Sequence, residues 1–302
     1  MKLTILGCHS ATPRVGYNTT SQILEVKNHT FLIDCGEGTQ VELRRRKIKF
    51  SRIKHIFISH LHGDHVFGLS GLVSTFNLHD RKDDLHIYAP AGLKEVITLQ
   101  MKLANSWTSY NLVFHELTSN KSELIFEDEK VEVHTIPLVH RIYTNGFLFK
   151  EKLGQRKLDI EKVEDANIEI AYYRKLKLGA NVPNKDGKTI HNEAVTTPPN
   201  PPKSYAFCSD TMYNENIIPI IKNADCLYHE STFLNDNEDL ATITKHSTAK
   251  QAGQIARISN VKTLILGHYS TRYGDFNLFK NEAQAEFNNV LLAKDGLEII
   301  ID

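Results

Sequence analysis

The sequence predicts an α/β fold. Short apolar runs bounded by turn residues alternate with segments of helical periodicity, a pattern typical of strands joined by helices. Hydrophobic residues make up 41% of the 302 residues and charged residues 24%, a balance that suits a globular domain with a large core. The 36 basic and 36 acidic side chains cancel. No global positive field therefore attracts a polyanion, and nucleic-acid binding would need local basic patches.

Strands in the first half are predicted where β-branched and apolar residues run together or alternate with polar ones. These strands are residues 3–6, 23–26, 31–36, 53–59, 85–89 and 130–136. Pro90 is expected to end the strand before it. Helices are predicted at residues 39–47, 66–78 and 92–101, with Gly68 and Gly71 as unfavourable residues inside the second.

The second half repeats this alternation. Strands are predicted at residues 203–208, 226–229 and 263–266, and a helix at 246–258. Residues 150–203 differ, because they are rich in charged and turn residues and end in Pro-Pro-Asn-Pro-Pro. Such a long stretch inside a compact domain is often a functional insertion, although a plain surface loop is the alternative. We expect one domain, residues 1–302, with an insertion at about 150–203.

Cysteine usage indicates a reducing compartment. The four cysteines, Cys8, Cys35, Cys208 and Cys226, form no CxxC pair in a long chain, so a disulfide framework is not expected and the cytoplasm fits best. The N-terminal strand starts at once, without the apolar stretch of a signal peptide. Because no apolar run approaches the roughly 20 residues that span a bilayer, no membrane association is expected.

A cluster of metal-ligand residues follows the predicted strand 53–59. His60, His62, Asp64 and His65 lie within six positions, and Gly63 permits a tight turn between them. Zinc takes imidazole and carboxylate ligands that converge from a rigid support. Four such residues at this spacing predict a metal site, and a metal-dependent hydrolase is the expected activity.

Three more candidate ligands lie just beyond apolar runs. His140, Asp210 and His268 occupy these positions, where α/β sheets place their functional side chains. A carboxylate such as Asp210 can bridge two cations. The remaining isolated histidines are expected to be structural: His9, His29, His55, His79, His86, His115, His134 and His191. For His229 and His246, which border predicted strand or helix ends, functional and structural roles stay open.

Several motifs in order along the chain resemble the ribonuclease Z family, the tRNA 3′-processing endonucleases of the metallo-β-lactamase superfamily. They are residues 34–40 (DCGEGTQ), 60–65 (HLHGDH), 209–211 (SDT), 229–233 (HESTF), 246–249 (HSTA) and 267–270 (GHYS). HxHxDH marks only the superfamily, whereas DCGEGTQ together with HST and GHYS is much more specific. The resemblance covers nearly the whole chain.

The resemblance implies a four-layer αβ/βα sandwich with a protruding arm and two Zn²⁺ ions per subunit, in a site at one edge of the two sheets. Mn²⁺ or Fe²⁺ can occupy similar ligand sets. One ion would be held by His60, His62 and His140, the other by Asp64, His65 and His268, and Asp210 would bridge them.

The resemblance also implies the reaction. One phosphodiester bond of precursor tRNA would be hydrolysed to remove the 3′ trailer and leave a 3′-hydroxyl. Asp64 would orient the attacking water and accept its proton. His246 would protonate the departing 3′ oxygen or stabilise the phosphate, and Glu230 would orient His246. The family further implies a cytoplasmic homodimer that acts on RNA and not DNA, with each arm gripping tRNA bound mainly by the other subunit.

Two segments depart from the family pattern. Residues 169–177 of the expected arm lack its usual Gly-Pro motif, and the loop at 7–13 differs from the usual glycine-rich form. The candidate substrate contacts of the arm are Arg174, Lys175 and Lys177. A second basic run near the predicted site consists of Arg44, Arg45, Arg46, Lys47 and Lys49, for which a solvated helix face is the alternative.

Three other functions remain possible on these residues. A phosphodiesterase for small or cyclic substrates would share the metal site, but it would need no long insertion. A non-catalytic RNA-binding protein would be marked by a missing ligand, yet all seven ligand positions are filled. A hydrolase of small carbonyl substrates is the third, and the motifs at 34–40 and 246–248 favour phosphate chemistry instead.

Overall fold

The computed structural model describes residues 1–12 and 14–302; Pro13, the last residue of the loop motif at 7–13, lies outside the described residues. The strands within these residues are β1 (Lys2–Gly7), β2 (Ser21–Val26), β3 (His29–Ile33), β4 (Ile53–Phe57), β5 (Leu85–Pro90), β6 (Leu112–Leu117), β7 (Leu124–Glu127), β8 (Val131–Pro137), β9 (Asn145–Glu151), β10 (Lys157–Leu158), β11 (Val182–Pro183), β12 (Thr189–Ile190), β13 (Thr196–Thr197), β14 (Ser204–Cys208), β15 (Cys226–Glu230), β16 (Thr263–Gly267), β17 (Val290–Leu292) and β18 (Glu298–Ile300).

The α-helices within the same residues are α1 (Thr39–Arg45), α2 (Gly63–Val66), α3 (Gly68–Leu78), α4 (Leu93–Leu103), α5 (Ile160–Asp165), α6 (Tyr173–Lys177), α7 (Asn192–Val195), α8 (Ile218–Ile221), α9 (Glu238–Thr244), α10 (Ala249–Ile258) and α11 (Asn277–Gln284). Short 3-10 helices lie at Phe50–Arg52, Ile170–Tyr172, Glu215–Ile217 and Asn235–Asn237. The chain divides into two compact units, one of Met1–Lys150 with Lys203–Asp302 and one of Glu151–Pro202. Among the described residues, no helix is both long and apolar enough to cross a membrane.

Two large sheets form the first unit. In one, the strand order is β18-β1-β2-β3-β4-β5-β6, with β3 to β6 parallel. In the other, the order is β17-β16-β15-β14-β9-β8-β7, with β14 to β17 parallel. Parallel strands end at a common edge of a sheet. The residues that follow β3 and β4 therefore lie together at one edge of the first sheet. Those that follow β14, β15 and β16 lie together at one edge of the second sheet.

Alternating side chains build the layers. In β3, Phe31 belongs to the core cluster that contains both sheets, whereas Leu32 belongs to a second cluster with α3. The same alternation separates Phe57 from Ile56 in β4, since successive strand residues point to opposite faces. Residues of α10 and α11 pack into the first cluster with the second sheet. The predicted α/β class and αβ/βα sandwich are confirmed.

Most predicted elements of this unit are present, with three corrections. The helix predicted at 66–78 is broken at Phe67 into α2 and α3, and Pro90 lies within β5. The helix predicted to begin at His246 begins at Ala249, where Thr248 accepts a hydrogen bond from the Gln251 N–H and caps it. His246 consequently lies in the loop before the helix.

The second unit has a core of its own. Val163, Ile168, Leu176, Val182 and Val195 are buried together within it. Its elements are the paired strands β10 and β13, the paired strands β11 and β12, and helices α5 to α7. Residues 151–202 therefore form a small folded unit, although their composition resembles that of a loop.

A row of histidines crosses the first sheet within its parallel strands β4, β5 and β6, and not at the ends of these strands. The His55 ring stacks on the His86 ring at 5.0 Å, and His86 Nδ1 lies 3.0 Å from His115 Nε2. Burial, reinforced by His86, His29, His115 and Lys54, lowers the pKa of His55 to about 3. The sequence-based expectation that these residues are structural agrees with their packing.

This row predicts acid sensitivity. The pKa of His55 in the folded protein is below its ordinary value. Its contribution to the free energy of unfolding is therefore complete above pH 6.5 and is lost as the pH falls towards 3. His55→Phe removes the titrating group and keeps a ring. We expect its free energy of unfolding to decline less between pH 6.5 and 4, by up to about 1.4 kcal/mol per pH unit, in urea titrations.

The matched control is His191→Phe, at an exposed histidine of the second unit. It should follow the wild-type pH profile. An unchanged profile in His55→Phe would contradict the assignment.

Candidate metal centre

Two groups of ligand-type side chains converge at the common edge of the strands. The first group is His60, His62, His140 and Asp210, and the second is Asp64, His65 and His268; within each group the candidate ligand atoms lie within 4.8 Å of one another. All seven candidate ligands named from the sequence are thus brought together. They come from the ends of β4, β14 and β16, from α2, and from the connection between β8 and β9.

Three imidazoles face one another in the first group. His62 Nδ1 lies 3.0 Å from His60 Nε2 and 3.3 Å from His140 Nε2. Burial lowers the pKa of all three rings, most strongly that of His60. Neutral imidazoles offer lone pairs, which is the form that binds a metal. Because His60 and His140 each donate through Nδ1, their Nε2 lone pairs both face His62, an arrangement that a cation can bridge.

The second group combines two imidazoles with a carboxylate. His65 Nε2 lies 3.4 Å from His268 Nε2, and Asp64 Oδ2 lies 3.3 Å from His268 Nε2. Burial opposes charge on Asp64, but His65 and His268 together hold its pKa well below the ordinary value. The group therefore presents an ionised carboxylate beside two ring nitrogens, a ligand set that zinc and similar divalent ions accept.

Asp210 connects the two groups. Its Oδ2 lies 3.5 Å from His60 Nε2, and its Oδ1 lies 3.1 Å from both His65 Nε2 and His268 Nε2. Each carboxylate oxygen thus faces a different group. Two-metal hydrolases use a shared carboxylate in this way. The residues present fit divalent metal binding.

Hydrogen bonds behind the rings fix their orientation. The His65 Nδ1–H donates to Asp34 Oδ2 at 2.7 Å, and the His60 Nδ1–H donates to Ser59 Oγ at 3.0 Å. Ser59 in turn donates to Asp34 through its backbone N–H and its hydroxyl, at 2.7 and 2.8 Å. His140 donates to the Lys245 carbonyl at 2.9 Å. Such partners set the tautomer and leave the opposite nitrogen free for a metal.

A second network lies behind His268. Its Nδ1–H donates to Thr232 Oγ1 at 3.0 Å, and the Thr232 hydroxyl donates to Glu230 Oε2 at 2.6 Å. Glu230 Oε1 accepts from His246 Nδ1 at 2.7 Å and from the Thr211 N–H at 2.8 Å. Burial opposes the charge of His246, but Glu230 raises its pKa to about 9. His246 is thus held by Glu230, the residue that the family resemblance implies for this role.

Three of these residues have an unusual backbone. Asp34, Asp210 and His268 have φ values of 55°, 53° and 60°, in the left-handed region. Non-glycine residues adopt this region at an energetic cost, and it recurs at functional sites. Each of the three lies at or just beyond a strand end, where the turn directs its side chain into the cluster.

A cleft of about 680 Å³ opens over the cluster. Its lining residues are Ser10, Ala11, Thr12, Glu37, His62, Gly63, Asp64, Phe67, Arg141, Asp210, Thr232, Phe233, Thr244, His246, His268, Ser270, Thr271 and Arg272. His246 lines it. His229, the other undecided histidine, is fully buried, and its Nδ1–H donates to the Glu230 carbonyl at 2.7 Å. His229 therefore does not line the cleft.

The candidate basic contacts are not among the residues that line this cleft. Arg174, Lys175 and Lys177 belong to α6 of the second unit, and all three are exposed. In the run at the end of α1, Arg45 and Arg46 are ion-paired with the buried Glu42. Part of that run is therefore neutralised, which supports the alternative of a solvated helix face for these two residues.

Sequence reasoning did not assign roles to Asp34, Ser59, Thr232 or the Lys245 carbonyl. Asp34 and Thr232 lie in motifs that were visible in the sequence, at 34–40 and 229–233. The Lys245 contact uses a backbone atom and left no sequence signal.

Curated relatives named Ribonuclease Z match the chain from end to end. The protein of Bacteroides thetaiotaomicron is 44% identical over 100% of this chain and 95% of its own length. That of Cytophaga hutchinsonii is 44% identical over 98% of this chain and 94% of its own. The chain belongs to the ribonuclease Z family. The prediction made from the motifs is confirmed.

Solved structures agree with this family. The short form of human tRNase Z is 27% identical, with a TM-score of 0.73 and coverage of 100% of both chains. The metallo-β-lactamase fold protein YhfI of Bacillus subtilis, at 18% identity, has a TM-score of 0.70 over 99% of this chain and 98% of its own, and shows the fold alone.

A family model also matches part of the chain. Residues 1–160 match the one described as Anti-Pycsar protein Apyc1. This region contains the candidate ligands from His60 to His140, but it ends before Asp210, His246 and His268. The ribonuclease Z relatives cover both parts.

The Asp34 contacts predict a role in metal affinity. Asp34→Asn keeps an acceptor for the Ser59 N–H but replaces the carboxylate that receives the His65 Nδ1–H. We expect metal affinity to fall about 10- to 100-fold while the far-UV circular dichroism stays unchanged. Competition with a chromophoric chelator measures the affinity.

Asp128→Asn is the control, because Asp128 forms a carboxylate–histidine pair of the same 2.7 Å length with His29. It should leave metal affinity unchanged. Equal affinities in wild type and Asp34→Asn would refute the orienting role.

Proposed function

We propose that this protein is a metal-dependent endoribonuclease that removes the 3′ trailer from precursor tRNA by hydrolysing one phosphodiester bond, leaving a 3′-hydroxyl. The observation that carries the proposal is the pair of ligand groups joined by Asp210, in a chain that is 44% identical over its full length to a curated ribonuclease Z. A phosphodiesterase for small or cyclic substrates would share the centre, and a substrate test separates the two.

The proposed cofactors are two Zn²⁺ ions per subunit. His60, His62 and His140 would hold one, Asp64, His65 and His268 the other, and Asp210 both. When bound, the ions would make water acidic enough to attack near neutral pH and would neutralise charge on the phosphate oxygens. Mn²⁺ and Fe²⁺ accept the same nitrogen and oxygen donors.

Asp64 is the proposed proton acceptor. Its Oδ2 accepts the Ala11 N–H at 2.9 Å and contacts His268 Nε2, so the position of this oxygen is fixed at the floor of the cleft. A carboxylate held there can orient the attacking water and take its proton.

His246 is the proposed proton donor to the departing 3′ oxygen. Its Nδ1–H is engaged by Glu230, which leaves Nε2 to face the substrate. The side chain is 11% exposed, whereas that of Glu230 is completely buried. Glu230 thus acts by holding the ring and by stabilising its charged form.

Residues 151–202 are proposed to be an arm inserted into the single catalytic domain, and to bind the tRNA body. Exposed Arg174, Lys175 and Lys177 on α6 would contact phosphate oxygens. Structured RNA is recognised largely through its backbone and shape, which suits such a surface. RNA, and not DNA, is the proposed nucleic acid. Four buried free cysteines are consistent with a location in the cytoplasm.

A homodimer is also proposed, in which each arm contacts tRNA bound mainly by the other subunit. An exposed apolar stripe on α4 supports self-association: Val96, Leu99 and Leu103 are 48%, 55% and 78% exposed. Static light scattering should then give twice the 34.3 kDa mass of the chain, and a monomeric mass would contradict the dimer.

The central test is incubation of the metal-loaded protein with a 3′-extended precursor tRNA, with the product ends mapped. We expect a single cut at the 3′ side and a 3′-hydroxyl on the tRNA. Asp64→Ala, which lacks the proton acceptor and a ligand, should reduce cleavage at least about 1000-fold with the fold intact. A metal-loaded wild type that hydrolyses only small phosphodiesters would favour the alternative, and full activity in Asp64→Ala would refute the mechanism.

His246→Ala separates proton donation from metal binding, because Asp210, His246 and His268 also form a possible ligand group. We expect kcat to fall about 100- to 10,000-fold with the metal content unchanged. A parallel loss of one metal per chain, measured by atomic emission, would instead make His246 a ligand.

Deletion of residues 155–195 tests the arm. KM for precursor tRNA should rise about tenfold or more, while hydrolysis of bis(p-nitrophenyl) phosphate persists, because the metal centre lies in the other unit. An equal loss of activity on precursor tRNA and on bis(p-nitrophenyl) phosphate would count against tRNA binding by the arm.

A further inference from the structure

Phe67 is an apolar side chain exposed in the cleft. The residue is 67% exposed, and it lies in the break between α2 and α3. Exposed apolar residues are common on protein surfaces, and exposure alone carries no functional meaning. Phe67 differs by its position, since it lines the cleft together with His62 and Asp64.

The ring lies against Gly63, between two candidate metal ligands. A Cβ added to Gly63 would come within 2.3 Å of Phe67 Cε2, so only glycine allows the ring to lie there. Gly63 separates His62 from Asp64 in the chain. The ring therefore packs against the chain segment that carries both of these candidate ligands. Phe67 is absent from the three core clusters of the described residues.

The backbone around Phe67 is anchored on both sides. The Phe67 N–H donates to the Gly63 carbonyl and the Gly68 N–H to the Cys35 carbonyl, each at 2.9 Å. A Cβ on Gly68 would lie 2.1 Å from the Gly36 carbonyl oxygen, which shows how closely these two segments pack. The ring is thus presented from a fixed position, and a partner that stacks on it need not order the protein backbone.

Two cations lie along the same cleft. Arg141 and Arg272 both line it, and neither guanidinium has an ion-pair partner within residues 1–12 and 14–302. Arg141 directly follows the candidate ligand His140 in the chain and lines the cleft with His62, so its charge lies close to the candidate metal centre. An aromatic face beside unpaired arginines is the combination with which proteins hold single-stranded nucleic acid.

We propose that Phe67 stacks on an unpaired base next to the scissile phosphate, while Arg141 contacts a neighbouring phosphate. This inference rests on the proposed function and deepens it: the enzyme selects RNA that is single-stranded at the cleavage junction. A paired base is stacked within its helix and cannot present its face to the ring. The ring therefore contributes to specificity, and the chemical step stays with the metal centre, Asp64 and His246.

The experiment compares two RNAs, a 3′-extended precursor tRNA and the same RNA with abasic nucleotides on both sides of the cleaved bond. Stacking of a base on an aromatic ring changes affinity by about tenfold, so wild-type kcat/KM should be about tenfold lower on the abasic RNA. For Phe67→Ala, kcat/KM on the normal RNA should be about tenfold lower than for wild type. On the abasic RNA, Phe67→Ala and wild type should have the same kcat/KM. Phe67→Trp should behave as wild type, because it restores a stacking face.

Leu78→Ala is the matched control, since Leu78 is an exposed apolar residue (82%) at the other end of α3, outside the cleft lining. It should retain the tenfold preference for the normal RNA. Circular dichroism and metal content of each variant check the fold.

Two results would overturn the inference on an active wild type. One is that Phe67→Ala still has a kcat/KM about tenfold higher on the normal RNA than on the abasic RNA. The other is an equal loss by Phe67→Ala on both RNAs, which would indicate a disturbed centre and not lost stacking. A metal-loaded wild type that cuts neither RNA would instead refute the tRNA-processing function, and this inference with it.

Discussion

The shared carboxylate of Asp210 is the constraint on which the site depends. It lies at the end of β14 in the second sheet, yet its two oxygens face histidines supplied from both sheets. A buried carboxylate in that position is costly without cationic partners or hydrogen bonds. The parallel strands satisfy this requirement because their ends meet at one edge. The sandwich fold, which brings these strand ends together, therefore also supplies the partners that the buried carboxylate requires.

The candidate ligands were predictable because each follows a strong local signal. His60 to His65 follow a β-branched strand, and Asp210 and His268 follow short apolar strands. The residues that orient the candidate ligands were not predictable, because their contacts join distant parts of the chain. Thr232 accepts a hydrogen bond from His268, which is 36 positions away, and Asp34 accepts one from His65, which is 31 positions away. No local pattern encodes which carboxylate will lie behind which ring.

The errors in secondary structure have tertiary causes. Periodicity continues through Phe67, but packing of Gly68 on Gly36 breaks the helix there. Residues 151–202 are less apolar than the rest of the chain, so the small core around Val163 and Leu176 was not evident. Polar composition in that unit suggested a loop, whereas a few well-placed apolar residues were sufficient to fold it. Short amphipathic elements are where sequence patterns carry least information.

The left-handed backbone of Asp34, Asp210 and His268 has a consequence for mutational scanning. At these positions a replacement alters the functional side chain and the backbone preference together, so a single low score mixes two effects. Asparagine and glycine tolerate the left-handed region better than other residues do. Comparing them with bulky replacements at the same three sites would separate conformational cost from lost chemistry. The strand termini are thus positions where foldability and activity can be read independently.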